Sequence, residues 1–480
     1  MRIRKTATAL LFVAIVVPAV LAGPVDDARR LYREGDYAAV VEKLRPVVKR
    51  SPKDGNANYF LGASLLALGL PDQARGPLTV AEERGVAEAS RMLAELDLER
   101  YDAAGAREHL EKWNATLRKG KKDVPESYDR LSAKAIQLGN MLERVEKIEI
   151  LDSISVDSAL FFNAYRLSPE AGRILPPEAV SRLGAGKPDD VFSTAYMPEN
   201  RSEILWAAAD SSGVYRLYGA DILDDGTIDH TAVLDEALGD GASARYPFLM
   251  PDGMTLYYAS DGNGSLGGYD IYMTRRSDSG DGGKEYFQGQ NMGLPYNSPY
   301  NDFMLAIDET SGLGWWATDR NQIPGMVTVY VFAPSSVRVN ADPSDPYLAA
   351  LARLSDISLT RREGVDYDNL LASRLPAADS DGNTGVRSPR FVLDLGNGKV
   401  YYNLSDFHNE RARSAMLDAL GAEATLRKHL AAEEALRERY RRGDKGVGTQ
   451  ILESEQQTDR LRRRVKEQRN AAVRQETARR

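Results

Sequence analysis

Apolar positions in residues 23–118 recur at helical spacing and fall into paired stripes. Ala28, Leu31 and Tyr32 form one stripe, Gly35 and Tyr37 mark a turn, and Val40, Leu44 and Val47 form a second before Pro52. The order repeats with Leu61, Gly62 and Leu65, then Gly69, then Ala74, Leu78 and Ala81. It repeats again with Leu93 and Ala94, then Tyr101, Ala106, Leu110 and Trp113. Val40, Ala74 and Ala106 hold equivalent places, at an interval of roughly 34 residues. The pattern predicts helices in pairs. Small residues let two helices cross closely, and large ones fill the seam between units.

Residues 119–144 read as a helical linker. From 145 to 407 the chain changes to short period-two runs between turn clusters rich in Gly, Asp and Ser, which predicts many short strands. An apolar or aromatic pair precedes a small residue and an Asp four times. The steps are Leu205-Trp206 before Ala209-Asp210, Tyr257-Tyr258 before Ser260-Asp261, Trp315-Trp316 before Thr318-Asp319, and Tyr401-Tyr402 before Ser405-Asp406. The runs VYRLYGADI, YDIYMTRR and VTVYVFAP close the first three units. Their spacing of about 50 to 60 residues is the size of a four-stranded propeller blade with its loops. Because propellers remove open edges by joining first and last strands, residues 147–156 are expected to pair with 390–406 and to give five or six blades. Residues 408–480 are charged and helical in pattern, broken by GDKGVGTQ. Leu426, Leu430, Leu436 and Tyr440 make one stripe and Ile451, Leu452, Leu461 and Val465 a sparser one, which predicts a two-helix hairpin or coiled coil.

The first segment resembles tetratricopeptide (TPR) repeats through Ala28, Gly35, Tyr37, Gly62, Gly69, Ala74, Ala94, Tyr101 and Ala106. The stretch PDGMTLYYASDGNGSLGGYDIYMTRR resembles the PD40 repeat, the WD40-like blade motif of TolB-like β-propellers. Pro251, Asp252, Gly253, Asp261, Gly268, Asp270 and Tyr272 carry that resemblance, and Asp319 repeats its Asp step in the next unit. The other units depart from it, with Pro198-Glu199-Asn200 or Glu309-Thr310-Ser311-Gly312 in place of Pro-Asp-Gly, and Met250 stands where the motif has a serine. The resemblance implies a multidomain α plus all-β chain: a TPR-like α-solenoid, a β-propeller and a charged helical tail.

Composition narrows the function. The chain has 480 residues, a formal charge of −8 and no cysteine. An acidic protein lacks the basic face that nucleic-acid binding needs, so no nucleic-acid partner is expected. Residues 1–22 have a basic start, an apolar run and small residues at Val20 and Ala22, which reads as a secretory signal peptide cleaved before Gly23. Export to the periplasm or the periplasmic face of the outer membrane follows, with no transmembrane helix after cleavage.

Candidate chemistry is thin. DGNGSLGG sets Asp261, Asn263 and Ser265 at alternate positions, as in a calcium loop, but Leu266 replaces the required glycine and Tyr272 the bidentate carboxylate. A blade turn is the better reading, and no metal is expected. The four histidines, His109, His230, His408 and His429, are not at ligand spacing, and no Gly-x-Ser-x-Gly elbow occurs. Neither a catalytic residue nor a cofactor is expected. NLSDFHNERA shares residues with OmpA-like peptidoglycan-binding domains at the wrong spacing, so that role is not carried over.

The architecture is similar to that of Bacteroidota cell-envelope proteins that combine TPR and PD40 repeats. It implies a non-enzymatic interaction scaffold whose TPR groove and propeller face bind protein partners and support outer-membrane or secretion machinery. A carbohydrate- or peptidoglycan-binding or -active propeller is the alternative. Residues 459–480 hold nine Lys or Arg against three acids. This tail either solvates a helix face or docks peripherally on anionic lipid or an acidic partner.

Overall fold

The computed structural model describes residues 23–180, 183, 193–234, 238, 241–262, 264–278, 283–320, 322, 325–375, 391–395, 399–441 and 443–478. Residues 1–22, expected to be a signal peptide, and Asn263, Arg479 and Arg480 lie outside the described residues. The chain divides into two compact units, one ending at Met92 and the other beginning at Leu93. Seven helices follow one another from Pro24 to Leu142 among the described residues.

In the first unit α1 (Pro24–Glu34), α2 (Tyr37–Arg50), α3 (Gly55–Ala67) and α4 (Pro71–Glu83) pack consecutively. Gly35 ends α1 at φ 80°, a left-handed conformation that glycine adopts without a Cβ penalty. Asp36 and Asp54 cap α2 and α3 by accepting the backbone N–H groups of Ala39 and Ala57. Gly62 sits where α3 meets α4. A Cβ there would lie 2.7 Å from Leu78 Cγ and 3.2 Å from the Ala74 carbonyl. Ala28, Val40, Leu44, Ala74 and Leu78 are fully buried around these crossings. Helix α5 (Ala87–Glu99) spans the division between the units.

The second unit continues with α6 (Ala103–Lys119) and α7 (Glu126–Leu142). Leu131, Ala135 and Leu138 are buried on α7, which packs on α6, with Tyr128 5.9 Å from Trp113 between ring centroids. The segment expected to be a linker therefore contributes a packed helix.

The sheet region contains β1 (Glu149–Asp157), β2 (Arg173–Leu175), the short α8 (Pro177–Val180), β3 (Ala195–Met197), β4 (Glu203–Ala209), β5 (Tyr215–Ile222) and β6 (Ile228–Val233). It continues with β7 (Ala244–Leu249), β8 (Thr255–Ser260), β9 (Asp270–Asp278), β10 (Lys284–Tyr286), β11 (Gln290–Asn291), β12 (Asp302–Asp308), β13 (Leu313–Thr318) and β14 (Met326–Ala333). Three antiparallel sheets result, ordered β2-β3-β4-β5-β6, β7-β8-β9-β10 with β11 also on β9, and β12-β13-β14-β1. Three of the four apolar pairs fall in equivalent strands, and the fourth, Tyr401-Tyr402, does not. Leu205-Trp206 lies in β4, Tyr257-Tyr258 in β8 and Trp315-Trp316 in β13, and the closing runs form β5, β9 and β14. Strands β7 and β12 also share a bulge at their third residue, where Tyr246 and Met304 take φ 56° and 54°. The sheets share one apolar core, in which Tyr246 and Phe303 stack at 4.8 Å and Phe161 meets both edge-on.

Two expectations are corrected here. Residues 149–157 do not pair with 390–406. They pair with β14, Ile154 opposite Val329, and complete the third sheet. Beyond α9 (Leu348–Arg353) and α10 (Tyr367–Arg374), the strands of the later segment among the described residues are β15 (Leu393–Asp394) and β16 (Val400–Tyr401), which pair with each other. Its apolar residues Phe391, Leu393, Tyr401 and Phe407 are taken into a separate core with Ala412, Met416 and Ala472 of the C-terminal helices. The described residues hold three large sheets and this hairpin, and no sheet closes on itself, where five or six blades were expected.

The C-terminal hairpin consists of α11 (Glu410–Arg441) packed on α12 (Gly448–Thr477). Its seam differs from the predicted stripe: Leu426, Leu430 and Leu436 are only half-buried and Tyr440 is exposed, while Glu433 is buried. The Glu433 carboxylate accepts from Ser454 Oγ at 3.2 Å and Thr458 Oγ1 at 2.8 Å, which compensates its desolvation. Ile451, Leu461 and Val465 are buried as expected, whereas Leu452 is exposed.

Candidate functional site

The glycine-rich stretch between β8 and β9 is a joint. The Asp270 carboxylate, fully buried, accepts the Leu266 N–H and the Asn291 amide at 2.8 Å and the Gly267 N–H at 3.2 Å. Burial outweighs these hydrogen bonds and pushes its carboxyl up to about 7. A Cβ on Gly267 would lie 1.8 Å from the Tyr300 carbonyl oxygen, and one on Gly268 would lie 2.2 Å from Asn301 Oδ1. These glycines are needed for close approach of the loop that leads into β12. On the other side, Lys134 of α7 donates to the Gly267 carbonyl, and Gln137 donates to that of Gly264.

The Asp steps of the second and third sheets act as clasps. Asp261 follows β8 and accepts the N–H of Ser243, which precedes β7, at 2.8 Å. Asp319 follows β13 and accepts the N–H of Asn301, which precedes β12, also at 2.8 Å. Both span 18 residues. Asp210 departs from this scheme and caps its own turn through Ser212 and Val214. The Pro251-Asp252-Gly253 turn is closed the same way, with Asp252 accepting from Met254 N, Thr255 N and Thr255 Oγ1 and with Gly253 at φ 68°. These hydrogen bonds outweigh desolvation and hold the Asp252 carboxyl below its ordinary value. Tyr272 stacks on Tyr258 at 5.7 Å. Asn301 links the set: its side chain accepts the Tyr269 N–H, donates to Asp319 and lies against Gly268.

Sequence reasoning missed the most buried ion pair. Arg320 donates to Asp302 and to the carbonyls of Pro295 and Tyr296, and Ser298 Oγ also donates to Asp302. The available signal was the run of Asn, Ser and Asp from Asn297 to Asp302 leading into an apolar strand. Asp252, Asp261, Asp270 and Asp319 each hold backbone N–H groups, while Asp302 is held by the Arg320 and Ser298 side chains.

The helical motif residues divide. Ala28 and Ala74 are buried at helix crossings of the first unit, and Gly69 takes φ 74° between α3 and α4. Tyr37 joins an aromatic group with Tyr32, Tyr59 and Phe60, at centroid distances of 5.1 to 5.5 Å along the chain of contacts. The Arg29 guanidinium lies 5.6 Å over Phe60, while Tyr32, Tyr37 and Tyr59 stay half-exposed. Ala94 and Ala106 are buried in the second unit. Tyr101 adopts φ 61° there, is buried, and carries the Arg353 guanidinium 5.7 Å over its ring. No helix among the described residues is long and apolar enough to cross a membrane. Compared with protein-family models, curated proteins and solved structures, the chain matches none.

Proposed function

We propose that this chain is an exported, non-enzymatic interaction scaffold of the cell envelope. Its first helices act as TPR pairs that take a partner chain, and its three sheets act as PD40-type blades of an open propeller that presents loops. The half-exposed aromatic group of α1, α2 and α3, flanked by Arg29, carries the reading. Aromatic rings and arginine are the side chains that dominate protein interfaces, and here three half-exposed tyrosines and Arg29 surround the buried Phe60. The equivalent strand order of the sheets and the repeated Asp clasps support the blade assignment.

The test is affinity capture with the full chain from envelope fractions, followed by the same capture with Tyr32→Ala/Tyr59→Ala. A partner held by the wild type and lost by the folded variant is expected. A partner set unchanged by the double substitution overturns the groove as the binding surface.

A further inference from the structure

A cavity of about 550 Å³ lies between one face of the third sheet and the C-terminal hairpin. Ser153 and Ser155 of β1 and Met326, Thr328 and Tyr330 of β14 line one side, at the alternate positions that share a strand face. Helices α11 and α12 line the other, and residues 353–358 border it. The volume falls in the range of small-molecule sites, roughly 300 to 1,000 Å³.

Its charge is unbalanced. Arg320, Arg353, Arg427, Lys428, Arg437 and Arg462 line it against Asp356, Glu423 and Glu434. Most of these are already matched. Arg320 pairs with Asp302, Arg353 with Glu434, Arg437 with Glu433, and Glu423 with Arg469. Arg427, Lys428 and Arg462 make no salt bridge among the described residues, and the Nε of Arg462 is buried without a hydrogen-bond partner. On the acidic side only Asp356 remains, and it accepts the Ser358 N–H. Nearby Arg100 is drawn down to about 9 by burial and by the charges of Arg437 and Arg353. A lining with three cations outside any salt bridge favours an anion, most of all at Arg462, whose Nε is shut off from water, and guanidinium forks match phosphate and carboxylate oxygens. The facing wall carries the hydroxyls of Ser153, Ser155, Thr328 and Tyr330 beside Met326, with the Thr328 hydroxyl accepting from Gln322 and Ser355 Oγ at the border buried and unpaired.

We propose that this cavity binds a small anionic sugar, a polyhydroxylated body carrying a phosphate or carboxylate. The anion lies against Arg427, Lys428 and Arg462, and the sugar hydroxyls lie against the serine, threonine and tyrosine wall. The site is separate from the aromatic face of the first helices and does not depend on it.

Isothermal titration calorimetry of the full chain at constant ionic strength, with glucose 6-phosphate, glucuronate, glucose and inorganic phosphate, tests this. At least one charged sugar is expected to bind, at least tenfold tighter than glucose or inorganic phosphate, and whichever binds identifies phosphate or carboxylate as the anion. Arg427→Gln/Lys428→Gln and, separately, Arg462→Gln should each weaken that binding about tenfold or more. Arg427 and Lys428 are exposed, so the first variant keeps the fold even if the second does not. Absence of binding by both charged sugars overturns the proposal. So does glucose or inorganic phosphate binding as tightly, or affinity unchanged in the Arg427→Gln/Lys428→Gln variant.

Discussion

The ammonium of Lys134 donates to the carbonyl oxygen of Gly267 at 2.7 Å, across 133 residues of chain. A helix that the sequence offers as a linker thus holds the glycine joint of the second sheet. Burial lowers the Lys134 pKa, and the nearby Asp270 carboxylate opposes that shift. Lys134→Met should leave the carbonyl without this donor and cost about 1 to 2 kcal/mol, read as a lower urea midpoint. An unchanged midpoint would mean that water replaces the lysine.

Asp270 sets a pH dependence. Burial pushes its folded carboxyl up to about 7, against an ordinary value of 3.8. Between those values the unfolded chain has released its proton while the folded chain keeps it, so stability falls as pH rises through the interval. The slope from this group approaches about 1.4 kcal/mol per pH unit at most. Urea midpoints of the wild type should fall from pH 5 to pH 8, and those of Asp270→Asn should be flatter. Carboxyls held low by hydrogen bonds, such as Asp252, act with the opposite sign and only as the pH falls toward 4 and below.

Two helical glycines should respond oppositely to alanine. Gly62→Ala drives a methyl against Leu78 at the α3–α4 crossing and should destabilise by about 1 to 3 kcal/mol. Gly421→Ala on α11 meets nothing within 4 Å and should stabilise by roughly 1 kcal/mol through helix propensity. Thermal unfolding followed by circular dichroism separates the signs.

Asp319 holds both the backbone N–H and the side-chain amide of Asn301, whereas Asp261 holds one N–H of Ser243. Asp319→Ala should therefore cost more than Asp261→Ala, about 1.5 to 3 kcal/mol for the former. Equal losses in denaturant titrations would remove Asn301 from its linking role.

The basic tail needs a different experiment from simple truncation. Arg469 donates to Glu423, to the Val392 carbonyl and to the Ser155 carbonyl, so deleting residues 459–480 removes a structural anchor. Arg460, Arg464 and Lys466 are exposed. Their triple change to Glu should preserve the melting temperature to within a few degrees while abolishing any salt-sensitive envelope association. Association that survives the triple change excludes tail docking.

Much of the strand pattern was legible because aromatic pairs such as Trp315-Trp316 mark a strand buried on both faces. The partner of β1 was not, since Ile154 could meet any open edge of suitable pattern, and only packing selects Val329. The hairpin seam escaped because period-based reading looks for leucine, while here Glu433 is buried with two hydroxyl donors. The joint escaped for a related reason. Gly267 and Asn301 gain their meaning from each other, not from spacing along the chain.

The ladder between β1 and β14 has a consequence for chain integrity. Ser158 N donates to the Gly325 carbonyl at 3.0 Å where that ladder ends, so residues 158–325 form a loop clamped at its neck. A protease cut in the exposed turn around Asp224 and Asp225 would therefore not release a fragment. The upstream piece keeps β1 and the downstream piece keeps β14, and the two halves stay laced together as a nicked but single particle.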